Sequence, residues 1–210
     1  MSSDKKFNLV VGITGLKAGG KDEMARGLQE RGFNVRRVSD AIRAECADRG
    51  LTDPTVQQLM DIGNWGRQHS GDNGFWAGRL LDLLAVEGNP NVAINGIRNP
   101  GEVETLRRLA GPSFVLVGIT APTWLRYQRA MKRQQGGDPA ELEGFLAMDD
   151  RDRGFGEPPD GQQVDRCLAL CTPENTYHNA GTLEEYKQWL NFWCLSQKVE
   201  FQLLVPVTES

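Results

Sequence analysis

Residues 15–22 read Gly-Leu-Lys-Ala-Gly-Gly-Lys-Asp, a spacing that suits a loop whose backbone N–H groups converge on a polyphosphate. Gly15, Gly19 and Gly20 let the chain curl without Cβ clashes, and Lys21 reaches toward the outer phosphates as a point charge. Lys17 and Ala18 supply further backbone donors between the glycines. The octapeptide satisfies the phosphate-binding pattern G-x-x-x-x-G-K-[ST] at every fixed position except the last. There Asp22 replaces the residue whose hydroxyl normally reaches Mg²⁺. A carboxylate at that point can hold the cation through water, or it can cap the following helix and leave the cation to the nucleotide.

Three other groups of residues have the right chemistry to complete such a site. In Ser39-Asp40-Ala41-Ile42-Arg43, Asp40 falls at the carboxyl end of a strand. Arg43, one helical turn later, offers a planar fork for bidentate contact with a phosphate. The same residues also read as a helix N-cap followed by an exposed arginine. In Asn95-Gly96-Ile97-Arg98 a second strand ends on a glycine and an arginine, and Arg98 is the strongest candidate for gripping an acceptor. Arg126, Arg129 and Arg133 recur at spacings of three and four, so all three occupy one face of a helix. That face is either a solvated one or a lid whose cations close over a transferring phosphoryl group. Arg151 and Arg153 could close from the opposite side.

The elements that must position these residues alternate along the chain. Strand-like runs fall at residues 7–13, 34–39, 91–97, 113–120 and 175–179, separated by segments of helical periodicity, and this alternation predicts a parallel sheet covered on both faces. The first helix is expected from about Gly20 to Arg31, with Gly32 as its stop. Asp40 is expected to cap a short helix from Ala41 to Asp48. Longer helices follow at about 55–69 and 73–86, a helical excursion in which a second substrate could be held. Pro100 opens a helix through Leu109, with Glu102 and Glu104 in its first turn. Pro122 opens the basic segment, which continues to Gly136-Gly137 and the charged stretch 149–153. Residues 154–161 are expected to be loop, and 162–171 and 182–195 helical. The tail 197–210 is ambiguous; residues 199–205 could add an edge strand or mediate association. Trp65, Phe75 and Trp76 could stack on a base, although packing is the expected role for at least two of them.

The 210 residues provide for one sizeable core with a lid or insertion. A hydrophobic share of 39%, a charged share of 25% and a net charge of −4 describe a globular chain and give no reason to expect nucleic acid as a partner. No stretch approaches eighteen apolar residues and no signal-like segment precedes the first strand, so no membrane partner and a cytoplasmic location are expected. The four cysteines include no C-x-x-C pair. Cys167 and Cys171, spaced four apart, lack companion ligands beyond His69 and His178, so buried free thiols are expected.

These motifs, in this order, resemble those of P-loop kinases of the nucleoside monophosphate kinase type. Within that group the chain resembles a family of archaeal and bacterial nucleotide kinases, once catalogued as an uncharacterised protein family, close to dephospho-CoA kinases. The resemblance rests on residues 15–22, 39–43, 95–104, 151–153 and 179–186 and spans roughly residues 7–192. It implies an α/β fold, a P-loop NTPase three-layer sandwich with a five-stranded parallel sheet. The kinase domain would occupy residues 1–196, with an acceptor-binding insertion at about 40–90, an arginine-rich lid at about 122–160 and a tail at 197–210.

The resemblance further implies ATP with Mg²⁺ as donor. Gly15, Lys17, Ala18, Gly19, Gly20, Lys21, Asp22 and Glu23 would hold the phosphates, and Asn179 and Gly181 would lie near the adenine. Asp40, Arg43, Arg98, Arg151 and Arg153 would hold the acceptor, Lys21, Asp40, Arg129 and Arg133 would act in transfer, and Asp22 and Asn95 would serve the metal. Asn95 stands where the family usually has an Asp that accepts a water of the Mg²⁺ shell. Asn keeps the hydrogen-bonding capacity and loses the charge. The Gly-Lys-Asp ending at Asp22 also occurs in phage deoxynucleotide kinases and animal phosphomevalonate kinases.

Three readings follow. A phosphate acceptor, as in a (deoxy)nucleoside monophosphate, needs no general base, and Arg43 and Arg98 favour it. A hydroxyl acceptor, as in dephospho-CoA, needs a carboxylate to take its proton, and Asp40 is the best placed. A nucleotide-binding ATPase or switch needs no acceptor at all, and Asn95 is the feature that supports it.

Overall fold

The computed structural model describes residues 7–133 and 141–199. Five strands, β1 (Leu9–Thr14), β2 (Asn34–Arg37), β3 (Asn91–Ile97), β4 (Phe114–Thr120) and β5 (Thr176–His178), form one sheet in the order β2-β3-β1-β4-β5. Every neighbouring pair is parallel. This is the three-layer α/β architecture expected of the sequence, since strands buried on both faces need helices above and below. The helices are α1 (Lys21–Gln29), α2 (Val38–Asp48), α3 (Val56–Ser70), α4 (Phe75–Glu87), α5 (Pro100–Ala110), α6 (Thr123–Arg133), α7 (Leu142–Arg153), α8 (Val164–Leu168) and α9 (Leu183–Ser196).

The period-two alternation of the strands divides the core. From β1, Val10 points to one face, where Trp76, Leu80, Leu84, Ile94, Ile97, Val103 and Leu106 are buried. Val11 and Ile13 point to the other, with Met24, Leu28, Val117, Ile119, Tyr186, Leu190 and Trp193. The first face therefore carries the helical excursion, and the second carries α1 and α9. All these side chains are 5% exposed or less, so removal of a large one creates a cavity costing about 2–5 kcal/mol.

One irregularity positions the site. Between β1 and β3, Ile13 pairs with Asn95 but Thr14 pairs with Ile97, so Gly96 is skipped. Gly96 adopts φ 90, a conformation glycine takes without steric cost. Thr14 closes the bulge by donating from Oγ1 to the Ile97 carbonyl at 2.8 Å. Such a bulge bends the strand end and re-aims the residues on either side, here Asn95 and Arg98.

Several local expectations need correction. β2 stops at Arg37 and α2 begins at Val38, so Asp40 does not precede its helix as an N-cap. It is the third helical residue, and its Oδ2 accepts from the backbone N–H of Arg37 at 2.8 Å. The apolar Val38 is buried, which pulls the helix start three residues back. Residues 142–153 form a full helix where only a charged stretch at 149–153 is expected, whereas the helix expected over 162–171 is limited to α8. β1 and β5 are also displaced by one or two residues. Trp76 packs in the core and donates from Nε1 to the Gly63 carbonyl. Phe75 meets it edge-on, and Trp65 lies under the Arg49 guanidinium. The thiols of Cys46, Cys167, Cys171 and Cys194 are free, and burial raises those of Cys171 and Cys194 to about 11. Residues 136–137 and 200–210 lie outside the described residues.

Candidate nucleotide and acceptor site

The loop between β1 and α1 is shaped by groups that take hold of its carbonyls from behind. Asn179 Nδ2 donates to the Gly19 carbonyl at 2.9 Å, Tyr186 Oη to that of Gly20 at 3.1 Å and Arg126 Nη1 to that of Lys17 at 3.5 Å. In a trans peptide the C=O and the next N–H point oppositely. Holding these three carbonyls outward therefore turns the N–H groups of Ala18, Gly20 and Lys21 the other way, into the concave side beside the N-terminus of α1. That is the arrangement an anion requires. Gly20 has φ 111, and a Cβ on it would sit 2.3 Å from Asn179 Nδ2; no other residue could occupy this position without displacing the clamp. Ala18 takes φ 57 without being glycine, a local strain that the loop's anchors must hold.

Lys21 spans the loop and donates to the Leu16 carbonyl at 2.8 Å. Its ammonium is lowered from the ordinary 10.5 to about 8, first by burial and then by the nearby charge of Arg98. Asp22 and Asp152 oppose that shift, and Arg133 adds to it. The charges of Arg98 and Arg133 thus both act on Lys21. A cluster of like charges with only partial compensation is a site prepared for an anion.

Asn95 is buried at the end of β3. Its Nδ2 donates to Asp22 Oδ1 at 2.9 Å, so the two residues expected to serve a metal are in direct contact. Asn95 Oδ1 is buried without a hydrogen-bond partner among the described residues. Asp22 itself is open to solvent, and Arg37 reaches its Oδ1 at 3.5 Å. A hydrated Mg²⁺ carried by nucleotide phosphates needs one carboxylate and an acceptor for a coordinated water, and this pair supplies both. The residues fit the cation that the loop motif implies.

The basic helix behaves differently at each arginine. Arg126 is wholly buried, and its guanidinium binds both Asp149 oxygens, Nη2 to Oδ2 at 2.7 Å. It also donates to the Ala121 carbonyl. It is a structural tie between α6, α7 and the loop, and the expectation of a uniform lid face fails there. Arg129 donates from Nη2 to both the backbone and side-chain oxygens of Asn179 at 3.2 Å, reaching the phosphate loop through that residue. Asn179 also donates from its backbone to the Thr120 carbonyl at 2.7 Å. Its side chain is therefore a brace behind the loop. Gly181 lies just beyond, before the Thr182 cap of α9. Glu23 pairs with Arg26 along α1.

Just beyond β3, Arg98 is fixed at its backbone and exposed at its tip. Its N–H donates to Glu102 Oε2 at 2.8 Å, its carbonyl accepts from the Gln163 N–H at 2.7 Å, and Nη1 donates to Gln162 Oε1 at 2.9 Å. Glu102 is buried under the start of α5, and burial raises its pKa despite the two backbone donors. Arg43 is exposed on α2. Arg151 pairs with Glu157 at 3.0 Å, while Arg153 binds Asp149 and Asp165, each at 3.1 Å. Neither of these last two arginines is directed at Lys21; they tie α7 to its surroundings.

Two carboxylates missing from the sequence reading belong to this region. Asp149 is held below the usual carboxylate range because its bonds with Arg126 and Arg153 outweigh the opposing effect of burial. Asp152 is buried, and burial raises its pKa against the lowering charges of Arg98 and Lys21. Asp149, Asp152 and Arg153 stand at spacings of three and four, so a helical reading of this charged stretch would have placed them on one face. Lys17 Nζ also meets Met148 Sδ at 3.1 Å, which seats α7 against the loop.

No protein-family model matches the chain. Among solved structures, the protein TT1252 from Thermus thermophilus superposes with a TM-score of 0.53 at 22% identity, covering 91% of this chain and 98% of that one. An unliganded sugar kinase from a Janibacter species gives 0.51 at 16% identity, covering 91% and 95%. Both share the fold. Sequence relatives are more informative. The UPF0200 protein of Methanosarcina mazei is 32% identical over 158 residues, 74% of this chain and 83% of its own length. That of Saccharolobus solfataricus is 31% identical over 179 residues, 85% and 88% of the two chains, and that of Halobacterium salinarum is 37% identical over 149 residues, 70% and 76%. With matched identity running through most of the length of each protein, the chain belongs to the UPF0200 family.

Proposed function

We propose that the protein is an ATP-dependent phosphotransferase acting on a small phosphorylated acceptor, with a (deoxy)nucleoside monophosphate as the leading candidate. The observation that carries this reading is the loop after β1 whose carbonyls are pinned outward, with the charges of Arg98 and Arg133 acting on Lys21 beside it. The sugar kinase with the same fold agrees with phosphoryl transfer and says nothing of the acceptor.

In this reading the concave N–H groups of the loop cradle the donor's phosphates, and Lys21 leaves the Leu16 carbonyl to bind their oxygens. Arg98 and Arg43, both exposed, hold the acceptor's phosphate. An oxygen of that phosphate forms the new bond to the γ-phosphorus while the bond to the β–γ bridging oxygen breaks. Lys21 and Arg133 stabilise the charge that moves onto the leaving diphosphate. Arg129 acts through Asn179 by holding the loop. Asp22 and Asn95 would hold the Mg²⁺ that accompanies the nucleotide, whose charge would offset that of the phosphates.

The dephospho-CoA reading with Asp40 as base loses ground, because an Asp40 oxygen is committed to the Arg37 N–H. A hydroxyl acceptor keeps one observation in its favour. The buried Asp152 carboxylate lies in the field of Lys21 and Arg98 with its affinity for a proton raised, as a general base requires.

ATP turnover measured with a panel of nucleoside monophosphates and with dephospho-CoA decides among these. Stimulation by one monophosphate supports the first reading, stimulation by dephospho-CoA reverses the ranking, and slow hydrolysis unchanged by every acceptor would falsify the kinase reading. Lys21→Ala is expected to abolish transfer; activity within about tenfold of the original would mean that this loop does not hold the donor.

A further inference from the structure

The contact between Asp22 and Asn95 redistributes charge at the phosphate loop. In P-loop proteins generally, the loop contributes a neutral hydroxyl to Mg²⁺ and a strand end contributes the carboxylate. Here the loop carries the carboxylate and the strand end carries an amide. Asn95 is 6% exposed, and the orientation of its amide is dictated by chemistry: only Nδ2 can face a carboxylate, so Oδ1 must point elsewhere. That buried oxygen has no partner among the described residues, and a buried acceptor is seldom left so unless something absent from the free protein satisfies it. A water bound to a cation beside Asp22 is such a donor.

We propose that Asp22 is the protein's carboxylate for a divalent cation, that Asn95 is a positioning residue that aims it, and that together they make nucleotide binding conditional on the cation. The last part follows from placement. A strand-end carboxylate is set back from the phosphates, whereas Asp22 follows Lys21 directly at the first turn of α1. Without a cation its charge opposes a diphosphate; with one it becomes attractive. The proposal rests on the phosphate-loop reading above and adds to it a selection for the metal complex of the nucleotide over the free anion.

The test is calorimetric binding of ADP in excess Mg²⁺ and in EDTA, with Mn²⁺ binding in the presence of ADP followed by electron paramagnetic resonance. Asp22→Asn is expected to bind ADP more tightly than the original protein in EDTA and less tightly in Mg²⁺. The ratio of the two affinities should fall by at least about tenfold, and the Mn²⁺ signal of the ternary complex should weaken. Asn95→Ala, which leaves the charge in place but unaimed, should lose affinity in Mg²⁺ and keep it in EDTA. The exchange variant Asp22→Ser with Asn95→Asp should regain metal dependence. The proposal fails if Asp22→Asn leaves the affinity ratio unchanged or does not tighten metal-free binding. If ADP binding persists and still depends on Lys21, that failure leaves the phosphate-loop reading standing. Absence of ADP binding to the original protein under both conditions overturns both.

Discussion

Lys21 makes the response of the loop to pH a property of one residue. In the free protein its ammonium is lowered to about 8, so near neutral pH it is charged by a narrow margin. Phosphate oxygens favour the charged form, and the bound complex must therefore have a higher value. Below pH 8 the proton is already in place and affinity is at its greatest. As pH rises above 8, binding must take up a proton, and affinity falls by up to about tenfold per unit until the bound-state value is passed. Titrations of ADP at pH 8.5–9.5 in buffers of different ionisation heat should show net proton uptake, absent in Lys21→Met. Folding follows the same group with the opposite consequence. The unfolded chain, with its lysine at 10.5, holds more protons between about 8 and 10.5, so this residue makes the free fold more stable as pH rises through that window.

α6 and α7 meet at a buried ion pair set beside the Tyr127–Phe145 ring contact. Arg126 and Asp149 are 1% and 3% exposed at their side chains, and Arg153 completes the carboxylate's partners. Removing one partner leaves a charge buried alone, so Asp149→Ala should cost about 3–5 kcal/mol in urea denaturation. The double replacement Arg126→Met with Asp149→Leu, which restores apolar packing, should recover most of that loss. An Asp149→Ala cost below about 1 kcal/mol would show that the two helices are held by something else. These helices also show where sequence reading stops. The spacing of Arg126, Arg129 and Arg133 revealed a shared face, but spacing cannot distinguish a cation facing a ligand from one facing a carboxylate that arrives from another helix. α7 went unread because its buried positions, Phe145, Asp149 and Asp152, are mostly acidic, and periodicity is sought in apolar residues. Asp40 was misplaced for a related reason: a capping preference is local, and burial of Val38 outweighs it. Where a single octapeptide carries the signal, as at residues 15–22, both the loop and its strand-to-helix setting were legible.

At the scale of the whole molecule, the sheet separates two jobs. The face under α2, α3 and α4 is packed with its own cluster; Arg43 is exposed on α2 and Arg98 is exposed just beyond β3. The opposite face, with α1 and α9, supports the phosphate loop through Tyr186 and Asn179. β1, β3 and β4 each contribute to both faces, and the bulge around Gly96 joins β1 to β3 beside Thr14, Asn95 and Arg98. Strand order and this bulge were not legible in the sequence, because pairing between strands about eighty residues apart is set by the assembled core. The division predicts a pattern of hydrogen exchange. ADP with Mg²⁺ should protect residues 15–24 together with α6 and α7, since Lys17, Arg126 and Met148 couple the loop to both helices. A nucleoside monophosphate alone should protect α2 and the start of α5 while leaving residues 15–24 as they were. A bisubstrate mimic joining the two should protect both sets at once. Protection by the monophosphate confined to the phosphate loop would place both nucleotides in one pocket, and the acceptor role assigned to Arg43 and Arg98 would fall.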